Sequence, residues 1–410
     1  MIKSAKKRVV LFVLEILVVV LFIVALFLYG QIDKKLDQVV QQPETTFQEE
    51  EIAINIEAPV MSGYTTYAIF GVDTRKQNSE LNGENTDTII IVSINNAKKD
   101  VKLVSIYRDS LLNLGSDTYG KANSAYLLGG ASRAISMLNT NLDLQITDYV
   151  TVDFSVLTEI VDYFGGLDIP LSYAEIEHMN NYCIETAKET GKSYTPVEKP
   201  EEEPEDIEET LGTYHLNGVQ VTSYCRIRYT ASMDMGRTER QRRVIEMLVN
   251  KAVNSGITGI LDLMDVVIPM IETSLTKQEI ISMIPTMIGF SIGGSSGFPD
   301  AYKFADINDQ SYVVPNTLTD NVVELHKFLY GDTIEYTPSS EVEISSTTIL
   351  ERAAAGSLTS TYNESYDTET YYDDSSYDDY YYDDSSYDDY YYDDSSYDDY
   401  YYDDSSYDNY

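Results

Sequence analysis

"TIIIVSINNAKKDVKLVSIY", Thr88–Tyr107, holds two β-branched runs around a polar centre. Thr88–Asn95 and Val101–Tyr107 have strand composition, and the "NAKKD" between them is turn chemistry, so the stretch predicts a β-hairpin. A pairing that sets Asn95 against Val101 also sets Asp87 against Asp109 at the open end. Two carboxylates about 5 Å apart repel by roughly 3 kcal/mol at an effective dielectric of about 20, and a divalent cation would relieve that. Asp73, which closes the run "YAIFGVD" (Tyr67–Asp73), supplies a third carboxylate. Oxygen-only ligands favour Mg2+ or Ca2+, and Mg2+ is the usual companion of phosphate. The competing reading is that Asp87 caps a turn. Arg108, between Tyr107 and Asp109, adds a fork suited to phosphate oxygens.

Outward from the hairpin, "NSAYLLGGASRAISMLN" and "FSVLTEIVDYF" have helical spacing, the second stopped by Gly165-Gly166. Strands alternating with helices predict a layered α/β domain, spanning 61–331. Residues 185–210 are acidic and carry proline, the composition of a surface insertion. Residues 332–370 are expected to be a linker.

Within "YCRIRYTASMDMGRTERQRR", Tyr224–Arg243, stand six arginines of a chain with 28 Lys plus Arg against 68 Asp plus Glu. Val221–Tyr229 has strand propensity, which would aim Arg226 and Arg228 to one face. Asp234 would cap a helix from about Met235, whose stripe Ile245, Leu248, Val249 and Ala252 runs back to Gln241 and Arg237, with Arg240 alongside. Arg226, Arg228, Arg237 and Gln241 would then converge, while Arg242 and Arg243 would be solvated or paired. Surface salt bridges, the plainer explanation, stabilise by only about 0–1 kcal/mol each and give no reason for convergence. Guanidinium forks match phosphate oxygens bidentately.

The ends set the compartment. Lys3, Lys6, Lys7 and Arg8, within residues 1–8, precede Val9–Tyr29, where 18 of 21 residues are Val, Leu, Ile or Phe. At 1.5 Å per residue that helix is roughly 31 Å long, a bilayer's hydrocarbon thickness, and the preceding cations hold residues 1–8 in the cytoplasm. Residues 30–60 read as an extracellular stalk. The last 40 residues, 371–410, are four copies of a Tyr/Asp/Ser decapeptide containing 15 Asp and no cation, so they read as a disordered tail. That tail is either a solvated spacer or a contact for sugars or ions. A net charge of −40 beyond the membrane excludes nucleic acid as a partner. The two cysteines, Cys183 and Cys225, are either bonded or buried and free.

Gly71-Val72-Asp73, Thr86-Asp87, "SIYRD" (Ser105–Asp109), "KANSAY" (Lys121–Tyr126), "LNGVQ", "RIR" and "DMGRTERQ" (Asp234–Gln241) stand in the order of the LytR–CpsA–Psr family, which the chain resembles from about Met61 to Gly331. The resemblance implies a layered αβα domain with a central mixed sheet. It implies an enzyme that transfers a glycopolymer, such as teichoic acid or capsule, from undecaprenyl pyrophosphate to peptidoglycan, the lipid lying in an apolar groove and Mg2+ bridging the pyrophosphate. By the same resemblance Asp73 and Asp87 look like the metal carboxylates, with Asp109 nearby at the metal site. Arg108, Arg226, Arg228, Arg237 and Gln241 clamp the pyrophosphate, with Lys121, Asn123 and Arg240 beside it, and Asp234 or a metal-site aspartate takes the acceptor's proton. The chain departs from the family at Asn85, usually Arg, and at Tyr107, usually Pro. A non-catalytic surface protein that binds polyprenyl pyrophosphate or wall polymer is the alternative function.

Overall fold

The computed structural model describes residues 52–72, 85–228, 230, 233–287, 289–331 and 335–358, with a two-residue strand β1 at Val40–Gln41. The predicted anchor at 9–29 and the tail at 371–410 lie outside the described residues, as does Asp73. Strand β2 (Tyr64–Val72) precedes the hairpin, which forms as β3 (Thr86–Asn95) and β4 (Asp100–Ile106).

The hairpin is one residue out of the expected register, with Asn95 opposite Asp100 and Ile89 opposite Ile106. Its loop is short because Asn95 Oδ1 accepts from the Lys98 N–H at 3.0 Å and Lys99 turns left-handed at φ 55°. Asp100 therefore joins the strand. Continued to the open end, this register sets Asp87 against Arg108, not Asp109, and removes the carboxylate clash. A slip of one residue reassigns every cross-strand partner.

The small ribbon β5 (Leu111–Asn113) and β6 (Tyr119–Lys121) leads to α1 (Ser124–Leu142). Strand β7 (Asp148–Val152) is followed by α2 (Phe154–Tyr163), capped by Asp153, whose side chain accepts from the Val156 N–H. Next come β8 (Leu167–Ser172), α3 (Tyr173–Thr190), β9 (Thr210–Leu216), α4 (Gly218–Tyr224) and α5 (Met233–Val267). The chain continues through β10 (Glu272–Thr273), α6 (Lys277–Met287), β11 (Ser291–Phe298), β12 (Tyr302–Ile307), β13 (Gln310–Pro315), α7 (Leu318–Tyr330) and α8 (Ser340–Ala355). Seven strands form one mixed sheet in the order β1-β10-β7-β2-β3-β4-β11, with β2 and β7 parallel and β2, β3 and β4 antiparallel.

Alternation along β3 gives the sheet two apolar faces. Phe70, Ile89, Ile91, Val104 and Ile106 pack with α1, α7 and α8. Ile90, Ile94 and Leu103 face the other way, with Ile69, Val92, Ile245 and Phe290 half-buried against them. A third cluster joins α2, β8, α3, α4 and the start of α5 through Leu167, Met179, Val221, Ile227 and Val244. The result is a layered αβα domain with a mixed central sheet.

Four expectations are corrected. Val221–Tyr229 is no strand: Gly218–Tyr224 is helical, opened by a capping box in which the Asn217 side chain accepts from Gln220 N–H and Gln220 Oε1 from Asn217 N–H. Residues 185–190 belong to α3, with Thr186 buried, so the loop begins later than read from composition. The expected linker contains α8, whose Val342 and Ile349 are buried in the main cluster. The end of the expected stalk is also docked, since buried Asn55 donates to Asp143 Oδ1 at 2.6 Å and to the Thr140 carbonyl at 2.9 Å. Cys183 and Cys225 are free and buried, their thiols pushed up by burial to about 11 and about 12.

One described helix is long and apolar enough to cross a membrane, Met235–Met270. It is α5 with its extension, it is broken at Gly256, and its first turns carry the arginines of the site.

Candidate functional site

Asp87, 22% exposed, stands at the start of β3, and three cations reach it from three directions. Arg108 Nη1, across the hairpin, donates to Asp87 Oδ1 at 2.6 Å. Arg228 Nη2, on the turn after α4, donates to Oδ2 at 3.0 Å. Arg237, in the first turns of α5, donates from Nη2 to the Asp87 carbonyl at 3.2 Å and holds Nη1 3.7 Å from Oδ2. Lys121, from β6, pairs with Asp109 at 3.1 Å, and Asp109 Oδ2 lies 3.6 Å from Arg108 Nε. Burial presses the Asp87 carboxyl pKa upward, but Arg237, Arg108 and Arg228 outweigh it and hold the group well below the usual carboxylate range.

Asn123, buried at the head of α1, acts through its backbone: its N–H donates to the Arg108 carbonyl at 3.0 Å, and its carbonyl accepts from Thr86 Oγ1 at 3.5 Å. The motif "KANSAY" thus locks the turn that presents Arg108.

Arg226 is not in the cluster. Because its segment is a turn after a helix instead of a strand, its side chain swings to α3, where it pairs with Glu185 at 2.8 Å and Glu189 at 3.1 Å and lies over the Phe154 ring at 4.6 Å. Arg240 is also outside the cluster: it pairs with Glu175 at 3.0 Å and donates to the Ile227 carbonyl and Thr230 Oγ1, bracing the turn that carries Arg228. On α5 the expected members Arg237, Gln241 and Leu248 are buried, but so are Arg240, Arg242 and Val244, with Ile245 and Val249 half-buried, so the buried face is wider than the expected stripe. Gln241 is buried, donates to the Cys225 carbonyl at 3.4 Å, and keeps Oε1 without a hydrogen-bond partner among the described residues. Helix α5 starts at Met233, so Asp234 lies inside it instead of capping it, and its side chain lies outside the described residues. Arg243 is paired as expected, donating to Tyr224 Oη at 3.0 Å. Arg242 is not: it is 8% exposed.

Of the expected carboxylate trio, Asp73 lies outside the described residues, and Asp87 and Asp109 are not opposed across the hairpin. Asp109 is turned to Lys121, and among the described residues no group of three or more His, Cys, Asp or Glu side chains is placed for a metal. Hard oxygen donors are nevertheless present. Asp87 is held ionised, and Asn85 Oδ1, two residues away, is buried without a hydrogen-bond partner among the described residues. A capping-box signal, "N-x-x-Q" at Asn217–Gln220, could have found α4 from the sequence. No local signal separates Arg226 from Arg228.

A family model, that of the LytR_cpsA_psr family, matches residues 26–293. The chain is similar to an Enterococcus faecalis protein named polyisoprenyl-teichoic acid--peptidoglycan teichoic acid transferase TagU, 28% identical over 62% of this chain and 73% of that one. It is 30% identical over 54% of its length and 52% of the relative's to biofilm regulatory protein A of Streptococcus mutans. In fold it is similar to protein gbs0355 of Streptococcus agalactiae, with a TM-score of 0.53 at 22% identity over 68% of this chain and 92% of that one. TagT bound to LI-WTA has a TM-score of 0.50 at 20% identity, over 66% and 91%. With well over half its length matched by the family model, the chain belongs to the LytR_cpsA_psr family.

Proposed function

We propose that the chain is a membrane-anchored phosphotransferase working outside the membrane, which moves a glycopolymer of the teichoic acid or capsule kind from undecaprenyl diphosphate to peptidoglycan and releases undecaprenyl phosphate. The convergence of Arg108, Arg228 and Arg237 on Asp87 carries this reading. Those three with Lys121 are four cations against the two carboxylates Asp87 and Asp109, a net of two positive charges. A diphosphate esterified at both ends carries two negative charges, so the donor's head group neutralises the cluster. The relatives' names agree: TagU is a teichoic acid transferase. The half-buried Tyr67, Ile69, Val92 and Ile292, on the sheet face toward α5, offer apolar surface to a polyprenyl chain. Residues 9–29 would anchor the chain as a single span with residues 1–8 in the cytoplasm.

In the reaction an acceptor hydroxyl oxygen attacks the sugar-bearing phosphorus. A phosphodiester forms, the P–O–P bridge breaks, and its electron pair leaves on undecaprenyl phosphate. Charge grows on the equatorial and leaving oxygens, where the guanidiniums donate. The hydroxyl proton passes to a carboxylate; we assign this to Asp109, 24% exposed and paired with Lys121 and Arg108, with Asp234 as the other candidate. Mg2+ is the proposed cofactor, on the hard oxygens of Asp87 and Asn85 and with Asp73 as a further donor. When bound, it supplies charge neutralisation to the diphosphate.

The full chain in detergent micelles, given a polyprenyl-diphosphate-linked saccharide, Mg2+ and peptidoglycan strands, is expected to join saccharide to glycan covalently. Asp87→Ala and Arg228→Ala are expected to abolish it. Lipid binding without transfer would leave a binding protein, and release of free saccharide phosphate a hydrolase.

A further inference from the structure

Two further side chains, Arg242 and Tyr107, lie beside the cluster. Arg242, one turn beyond Arg237 on α5, is 8% exposed, with Nε and Nη1 buried and without a hydrogen-bond partner among the described residues. Burial lowers its pKa, opposed first by the Tyr107 phenol and then by Glu239 and Glu246. A buried guanidinium with unmet donors is costly, and acceptor oxygens would relieve it. Tyr107 directly precedes Arg108, and its hydroxyl occupies the space a side chain would need at Gly297, where a Cβ would lie 2.2 Å away.

From Tyr107 a row of rings leads to solvent. Tyr302 packs edge-on to Tyr107 with centroids 5.8 Å apart, and Phe304 packs on Tyr302 at 5.6 Å. Both lie on one face of β12, and Phe304 is 58% exposed. We propose that Tyr107, Arg242, Tyr302 and Phe304 form a subsite for the pyranose rings of the acceptor glycan strand.

The chemistry suits a sugar: ring faces take the C–H face of a pyranose, and the guanidinium donates to hydroxyl or amide oxygens. The acceptor is the better occupant for a physical reason. The donor arrives held by its diphosphate and its lipid, whereas the acceptor brings neither and needs contacts of its own. The row runs from exposed Phe304 inward to Tyr107, the residue that precedes Arg108. The assignment of an acceptor rests on the transferase reading above.

Calorimetric titration of the full chain in micelles tests it with three probes: a peptidoglycan tetrasaccharide, bare polyprenyl diphosphate, and a polyprenyl-diphosphate-linked disaccharide. Tyr302→Ala and Phe304→Ala are each expected to weaken the tetrasaccharide about 3–10-fold. Arg242→Gln should weaken it about tenfold or more. Bare polyprenyl diphosphate should bind all three variants as it binds the wild type. Phe304 is exposed, so its replacement decides the matter even where Arg242→Gln does not fold. Unchanged tetrasaccharide affinity in both aromatic variants overturns the proposal, as does a loss confined to the lipid-linked disaccharide. Tetrasaccharide binding by a wild type that ignores polyprenyl diphosphate would sink the diphosphate reading and leave the subsite standing.

Discussion

Asp87 joins three guanidiniums that would otherwise repel one another, and it is the residue on which the site's geometry depends. Asp87→Ala is expected to lower transfer by about 100-fold or more, read as covalently joined saccharide per unit time. Arg226 and Arg228, two positions apart, separate binding from stability. Arg228, 28% exposed on a partly open carboxylate, contributes little to folding. Arg228→Ala should leave the unfolding midpoint nearly unchanged and weaken polyprenyl diphosphate by about 10–100-fold. Arg226, 8% exposed between two glutamates and an aromatic ring, should behave in the opposite way. Arg226→Ala is expected to cost about 3 kcal/mol in urea unfolding, with diphosphate affinity per folded molecule retained. If Arg226→Ala instead abolishes binding in a stable protein, the guanidinium belongs to the clamp.

Among the elements, α4 owes its start to the reciprocal bonds of Asn217 and Gln220. Asn217→Ala should lower stability by about 1 kcal/mol, measured by chemical denaturation. The junction of α1, α7 and the segment before α8 carries an acid-sensitive group. His326 is buried, bonds through Nε2 to the Leu142 carbonyl at 2.8 Å and stacks on Tyr336 at 3.7 Å, with Tyr330 edge-on. Burial lowers its pKa from the ordinary 6.5, against the opposing effects of the Leu142 bond and Asp143. The unfolded chain therefore binds the proton more readily, and stability that is complete above about 6.5 declines as pH falls toward the lower, folded value. Urea midpoints at pH 7.5 and 5.5 are expected to differ in the wild type, and His326→Gln should reduce the difference.

For the whole molecule, the docked ends matter most. Asp143 accepts from Asn55, from Tyr336 Oη, and from both the Ser339 hydroxyl and N–H, so one buried carboxylate fastens the segment before β2 and the start of α8 to the end of α1. Chain ended at Gly331 would expose the surface covered by Val342 and Ile349, at about 1.5–3 kcal/mol for each side chain. A chain truncated there is expected to melt well below one ending at Leu358, in a calorimetric comparison.

Composition and local pattern determined the layered α/β class, the hairpin, and a site built of arginine and aspartate, because strand periodicity and turn chemistry act between near neighbours. Which arginine meets which acid was decided by the tertiary structure. A four-residue loop shifted the hairpin by one position and exchanged the partner of Asp87, and a buried environment turned the β-branched Val219–Thr222 into a helix against its propensity. A guanidinium sits at the end of a long, flexible stem, so a two-residue spacing in the chain says little about where its charge comes to rest. Only the packing of α3 and β3 around that turn sends Arg226 to Glu185 and Arg228 to Asp87.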